Sequence, residues 1–441
     1  MPIAHHLGTI PFHSRQLSRQ SLPVEPHPVK TATGGELKQV ASSLRPPWSP
    51  TFARRTEGAS GELAAILALA AGTDLISFAG GLPDPQTFPS RVLVELTRTI
   101  LDGDPGTALQ YSPTPGLPGL REAFAGRLQA TQGRRPEPAE LMVTSGNIDA
   151  VSLLAKAMVD GGDVVAVESP TYLGAIDGLR AFQADVRGVP MDEDGIDVDA
   201  LAQLFRGSRV KMLYTIPDHQ NPTGITMSTD RRRALVELCR EHGVLLVEDV
   251  AYRELTFRGW PAPSLWSLAP DVVTQIGTTS KTFFPGVRLG WAVGPAPVVT
   301  QMVIAKQNSD QCAGAFGQRL LEDYLRGGHM DAQLQRSNAL YSHRCDLMLA
   351  ALDEHMPDGF TWTRPHGGFF TWLNGPKWLD TTQLAAQARD AGVAFVPGRP
   401  FHPARDGSNK LRLAFSLCGD DDIDEGVRRL GTLFGAALEG R

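Results

Sequence analysis

Cysteine is scarce in this 441-residue chain, which has four, at positions 239, 312, 345 and 418. None forms a C-x-x-C pair, so neither a disulfide framework nor a zinc site is suggested. A basic excess is also missing: 42 Lys and Arg stand against 48 Asp and Glu, a formal charge of −6. Phosphate-binding surfaces need the opposite sign, and no nucleic-acid partner is expected. No apolar run approaches the ~18 residues of a spanning helix. The longest candidate runs only from Leu63 to Ala71, so no membrane partner is expected. Near the start of the chain His5, His6 and Pro11 interrupt anything resembling a signal peptide. The expectation is a soluble, reduced, cytoplasmic protein. G-x-S-x-G and H-E-x-x-H are absent too, which leaves serine-hydrolase and zincin chemistry without support.

What is present is an ordinary globular mixture, 42% hydrophobic and 20% charged, long enough for two domains. Residues 1–45 stand apart, with His5, His6, His13 and His27 and several prolines but no apolar period. They read as a mobile extension rather than a metal site. From about residue 140, β-branched runs alternate with helical stretches. Residues 148–159 have helical spacing and stop at Gly161-Gly162. Strands are expected at 163–167, 210–216, 244–247, 272–276 and 291–293, with a helix at 229–242. Apolar strands separated by helices imply an α/β protein with a mostly parallel, doubly wound sheet covered on both faces. After about residue 330 a long polar helix precedes short strands near 360–362, 369–373 and 411–415, which suggests a smaller α+β domain.

In such sheets ligands bind beyond the carboxyl ends of the strands, and polar groups gather at those places here. Ser145-Gly146-Asn147 opens a helix, where backbone N–H groups can hold a phosphate. Asn221-Pro-Thr-Gly224 follows one strand. Glu248-Asp249 ends another, with Tyr252 close behind. Ser280-Lys281 follows a third, with Arg288 seven residues later, and Arg412 lies in a terminal strand. Each has a plainer reading alone: a turn, a cap, a solvated cation. Jointly they match one requirement. A buried pyridinium ring needs an anion beside its nitrogen, which Asp249 supplies. A carbonyl cofactor needs a reactive lysine, and Lys281 is placed for that. A phosphate needs hydroxyls, N–H groups and a guanidinium. A second, distant Arg suits a substrate carboxylate. This is the set that pyridoxal phosphate requires.

The chain also resembles a known family. Ser77-Phe-Ala-Gly-Gly-Leu-Pro83, Leu109-Gln-Tyr-Ser-Pro113, Glu168-Ser-Pro-Thr-Tyr172, Gln220-Asn-Pro-Thr-Gly224 and Glu248-Asp-Val-Ala-Tyr-Arg-Glu254 carry the likeness. So do Thr279-Ser-Lys-Thr282, Gly286-Val-Arg-Leu-Gly290, Arg364-Pro-His-Gly-Gly368 and Leu411-Arg-Leu413. They are similar to fold-type I, class I/II aminotransferases, in particular the 2-aminoadipate/kynurenine branch that also supplies the C-terminal domain of MocR-type regulators. The resemblance spans about residue 46 to the end. It implies a large pyridoxal-phosphate-binding domain at 91–327 and a small domain built from an N-terminal arm and helix at 46–90 and residues 328–441.

The resemblance further implies roles. Lys281 forms the internal aldimine. Asp249 pairs with the pyridine nitrogen, and Asn221 and Tyr252 hydrogen-bond the phenolic oxygen. Tyr172 stacks on the ring, while Gly146, Asn147, Thr278, Ser280 and Arg288 hold the phosphate. Tyr111 reaches the phosphate of a neighbouring subunit, making a homodimer with shared active sites. Arg412 clamps the substrate α-carboxylate, Asn221 adjoins the substrate, and the Gly80-Gly81 loop closes over it. The implied reaction moves an amino group between an L-α-amino acid and a 2-oxo acid such as 2-oxoglutarate or pyruvate.

Two departures from the family pattern stand out. Asn147 and Ile148 replace the hydroxyl and amide of S-G-S-Q. No Arg appears at 61–65, the helix that reaches a distal carboxylate in members acting on dicarboxylates; Arg54 and Arg55 lie several residues too early. Neutral or aromatic donors are therefore expected. Arg399 is read as a solvated loop residue or a substrate contact. Thr279-Ser-Lys-Thr282 also resembles a nucleotide-binding P-loop, but Ser280 and Gln275 occupy its glycine positions. A cofactor-sensing regulator is disfavoured because about 45 residues are too few for a DNA-binding domain and linker. Elimination, decarboxylation or oxidation on the same cofactor stays open at this point.

Overall fold

The computed structural model describes residues 53, 55 and 75–440. The extension at 1–45 with its four histidines, Arg54 and the helix at 61–65 lie outside the described residues. The first described strand is β1 (Ile76–Ser77). A large sheet follows, formed by β2 (Leu141–Thr144), β3 (Val164–Ser169), β4 (Asp185–Asp192), β5 (Gly195–Ile196), β6 (Val210–Thr215), β7 (Leu245–Asp249), β8 (Val273–Thr278) and β9 (Gly290–Val293). Its order is β2-β9-β8-β7-β6-β3-β4-β5. The centre, β8-β7-β6-β3-β4, is parallel, whereas β9 runs antiparallel to both β2 and β8. Every residue of β7 and β8 is buried, as in a sheet covered on both faces, including the polar Glu248, Asp249, Thr274, Gln275 and Thr278.

The registers bring the chemistry to one edge. Thr215 stands opposite Glu248, and Asp249 opposite Ile276. Gly290 faces both Thr144 and Thr278, so β2 ends at the same edge as β8 and delivers Ser145-Gly146-Asn147 there.

The smaller sheet holds β10 (Thr361–Trp362), β11 (Phe370–Asn374), β13 (Val396–Pro397) and β14 (Lys410–Ala414), ordered β10-β11-β14-β13 and antiparallel, while β12 (Val393–Ala394) pairs with β1. Pairing of β1 with β12 joins the early segment to the C-terminal part of the chain, as the resemblance implied. The long helix His329–His355 packs against the last helix, Asp420–Glu439. It also anchors the segment beyond the Gly80-Gly81 pair. Arg344 forms a buried ion pair with Asp84 at 2.7 Å, and the Tyr341 hydroxyl accepts the Asp84 N–H at 3.0 Å.

The elements expected from periodicity fall close to where it puts them. The helix Thr229–His242 is capped by the Ser228 hydroxyl and closed by Gly243 in the left-handed region. Strands not read from sequence are β1, β2, β4, β5, β12 and β13; in β4, Gly188 and Pro190 break the run. Pairing with β5 is confined to its last two residues, so most of one edge is unpaired and a proline there breaks no ladder.

Candidate active site

A cavity of about 250 Å³ opens at the carboxyl edge of the large sheet, walled on its far side by the small one. Of the residues singled out from sequence, Gly81, Asn147, Tyr172, Asn221, Asp249, Tyr252, Thr278, Ser280, Lys281, Arg288 and Arg412 all line it. Gly146 borders it through Arg288, because a Cβ at Gly146 would lie 2.6 Å from the Arg288 NH2. Tyr111 does not reach it. That side chain is 76% exposed on the surface. Arg399 is also elsewhere, paired with Asp380 at 3.3 Å.

Local structure explains each placement. Glu168, buried at the end of β3, accepts hydrogen bonds from the Thr215 hydroxyl, the Ile216 N–H (3.1 Å) and Gln220 Nε2 (2.9 Å). Gln220 Oε1 then accepts the Thr223 N–H at 2.9 Å, which fixes the turn carrying Asn221. Burial pushes the Glu168 carboxyl up to about 7. Behind the other turn, buried Lys306 donates to Asp149 and Asp310, both at 2.8 Å, and Asp149 accepts the Ser145 N–H at 2.8 Å. Gly146 takes φ +99°, a region L side chains avoid, and the helix Asn147–Met158 starts immediately after it.

The charged groups fall at separate points of the cavity. Asp249, buried at the end of β7, accepts from Tyr214 and Asn147 on Oδ2 and from the Ala251 N–H on Oδ1 at 3.0 Å. Burial raises it to about 6, against the pull of those donors. Lys281 Nζ donates to the Gly81 carbonyl at 2.8 Å. Burial, then the Arg412 and Arg288 charges, lower it to about 8. Arg288 adopts φ +52° and donates to the Ser280 hydroxyl at 3.2 Å, while Thr278 and Ser280 hydroxyls lie 2.9 Å apart.

Arg412 is buried between the rings of Phe370 and Phe401, at 4.3 and 5.0 Å. Its NH1 and NH2 donate to Asn221 Oδ1 (2.9 Å) and the Ala79 carbonyl (2.7 Å), and its Nε has no partner. Among the described residues no carboxylate pairs with Arg288 or Arg412. Two unneutralised guanidiniums facing one cavity make it a receptor for two anionic groups.

Sequence reasoning missed three participants. Tyr214 looks like a core residue inside an apolar strand, Phe370 like one of many aromatics, and Ala79 acts only through its backbone. No local signal marks any of them. Asn147 was expected at the phosphate, yet its carboxamide turns to Asp249.

Known proteins give the same picture. Residues 73–430 match the profile described as aminotransferase class I and II. An aromatic-amino-acid aminotransferase of Thermococcus litoralis is 37% identical over 376 residues, 84% of this chain and 90% of that protein. A 2-aminoadipate transaminase of Thermus thermophilus is 38% identical over 370 residues, 83% and 91% of the two chains. The structure of a Pyrococcus horikoshii kynurenine aminotransferase superposes with a TM-score of 0.86 at 36% identity, covering 89% of this chain and 99% of that one.

Proposed function

The chain belongs to the aminotransferase class I and II family, and on that premise we propose how its cavity works and what it prefers. It is a pyridoxal-phosphate-dependent enzyme that moves an amino group between an amino acid and a 2-oxo acid. The cavity fits that cofactor by its donor set. A guanidinium without a carboxylate partner, two hydroxyls and a helix start free of any side-chain cap suit the phosphate. Buried Asp249 suits a protonated ring nitrogen. When bound, the cofactor supplies the electron sink that makes a substrate Cα–H bond breakable.

The chain's own residues do the rest. Gly146, Asn147, Thr278, Ser280 and Arg288 hold the phosphate, with Asn147 contributing through its backbone N–H at the helix start. Asn221 and Tyr252 address the phenolic oxygen, and Tyr172 covers a ring face. Arg412 takes the α-carboxylate, its unpartnered Nε providing one more donor for a bidentate grip. Lys281 Nζ accepts the Cα proton and returns it, a role served by an amine held at about 8 rather than at the lysine norm. The Gly80-Gly81 segment adjoins Lys281 and closes the substrate side. The observation that carries this reading is the convergence of Asp249, Lys281, Arg288 and Arg412 on one cavity.

Neutral or aromatic donors are preferred. Leu82, Ile148, Tyr172, Pro285 and Phe370 supply apolar wall, and the lining holds no cation beyond Lys281, Arg288 and Arg412 among the described residues. A distal carboxylate would find no further partner there. The enzyme works as a homodimer, in which exposed Tyr111 and its neighbour Leu109 are covered by the second subunit and Tyr111 serves that subunit's phosphate site. Its location is cytoplasmic, in keeping with four unpaired cysteines. No helix among the described residues is long and apolar enough to cross a membrane. Rapid mixing of the holoenzyme with single amino acids, followed by cofactor absorbance, tests the preference. Faster conversion with 2-aminoadipate or glutamate than with leucine, methionine and phenylalanine would overturn it.

A further inference from the structure

Asp249 has no ion-pair partner among the described residues; Lys281 shares its cavity without contacting it. Its three donors are neutral. Two of them share one oxygen. The hydroxyl of Tyr214, from the neighbouring strand β6, and the carboxamide Nδ2 of Asn147, from the first turn after β2, both lie 2.5 Å from Oδ2. A carboxylate oxygen has two lone pairs, so Oδ2 is saturated. Oδ1 receives only the Ala251 N–H and retains one acceptor position.

We infer that Tyr214 and Asn147 form a clamp that saturates Oδ2 of Asp249, holds the carboxylate anionic and leaves Oδ1 to receive the ring nitrogen. Both are positioning residues. The inference rests on the pyridoxal phosphate reading and extends it to two side chains, neither of which the sequence pattern would place on Asp249. Neither donor titrates in the working range: burial drives the Tyr214 hydroxyl well above its ordinary value, and a carboxamide does not ionise. The clamp therefore keeps its strength while the groups around it change charge. Glu168 on β3 and Lys281 after β8 titrate in that range, Glu248 on the same strand is raised by burial, and Tyr172 and Tyr252 on neighbouring turns are driven up by burial and stay neutral. Asn147 adds a second link. As the first helical residue after Gly146 it belongs to the phosphate turn, so one side chain ties the phosphate end of the cofactor site to the nitrogen end. A serine, which the related family pattern carries here, lacks the reach of a carboxamide.

The test is equilibrium binding of pyridoxal phosphate to the apoprotein between about pH 5.5 and 8.5, for wild type, Tyr214→Phe, Asn147→Leu and Asn147→Asp. Hydrogen bonds to the anion lower its proton affinity, so each loss lets Asp249 protonate at higher pH. The midpoint below which cofactor affinity falls should move up by roughly one unit in the first two variants, and Tyr214→Phe should keep its affinity at pH 8.5 within a few-fold of wild type. Asn147→Asp, which sets a second carboxylate against the first, should move it further. Midpoints unchanged from wild type would overturn the clamp. So would an equal loss of affinity at every pH, the signature of a packing defect. Wild-type binding at pH 8.5 checks the cofactor reading independently, so the two failures are distinguishable.

Discussion

Arg412 of β14 and Asn221 of the turn after β6 meet across the boundary between the two sheets, guanidinium NH1 donating to the side-chain oxygen at 2.9 Å. Asn221 also faces the Tyr252 hydroxyl and draws its pKa down against the effect of burial. A single amide therefore spans the substrate end and the phenolic-oxygen end of the cavity, and each end is sensitive to the other.

Replacing Arg412 by Lys keeps the charge and removes the planar fork. The expected result is a fall in kcat/KM of about 100-fold, roughly 3 kcal/mol, for every amino acid alike. Cofactor content should not change. Steady-state kinetics on leucine, phenylalanine and glutamate check this. A loss confined to one substrate would move Arg412 from the α-carboxylate to the side-chain end.

Lys281→Ala should abolish turnover, and borohydride treatment should no longer fix cofactor to the peptide containing position 281. In wild type the amine titrates near 8, below the lysine norm, because its charged form is buried beside two guanidiniums. The neutral, reactive form therefore grows as pH rises. Cofactor uptake by the apoprotein should accelerate about tenfold per unit below pH 8 and level off above it. A flat profile between pH 6 and 8 would contradict the environment assigned to Lys281.

Asp249→Asn should still bind cofactor but lose about three orders of magnitude in rate, roughly 4 kcal/mol, because a neutral amide cannot hold a protonated ring nitrogen. Single-turnover absorbance measurements decide it. Activity within a few-fold of wild type would place the ring nitrogen elsewhere.

Gly146→Ala should weaken cofactor binding by at least about tenfold and cost about 1–3 kcal/mol of stability, since the backbone there has φ +99°. The added Cβ would lie 2.6 Å from Arg288 NH2 and displace it from the cradle. Thermal unfolding with and without pyridoxal phosphate separates the two effects.

Much of this site is legible in sequence because its groups stand at strand ends, where an apolar run stops at a polar residue. Glu248-Asp249 after Leu245–Val247 is of that kind, while Thr278, Ser280 and Lys281 follow a strand with polar residues of its own and are marked only by standing at its end. We propose the boundary between large and small domains at 327/328, where Gly327-Gly328 separates the helix Ala315–Arg326 from the long helix His329–His355. Side-chain direction is less legible. Nothing in T-S-G-N tells that Asn147 aims at a residue 102 positions away. Tyr214 is hidden for the opposite reason: its ring belongs to the core, and only its hydroxyl acts. Strand β4 escaped because its glycine and proline are tolerated only at a weakly paired position, and pairing is a tertiary fact.

Phe370 touches three parts of the site at once. A Cβ on Gly81 would lie 2.5 Å from its Cζ, its ring lies 4.3 Å from the Arg412 guanidinium, and it meets Tyr252 edge-on at 5.6 Å. One mutation there disturbs the closing segment, the carboxylate clamp and a cofactor contact together. A change at Phe370 made to alter substrate range therefore carries the closing segment and the carboxylate clamp with it, however near the substrate the ring stands. Leu82 and Ile148 line the same cavity and take no part in the ring contacts to the Arg412 guanidinium and Tyr252, so they are the positions at which side-chain preference can be altered with the clamp left in place.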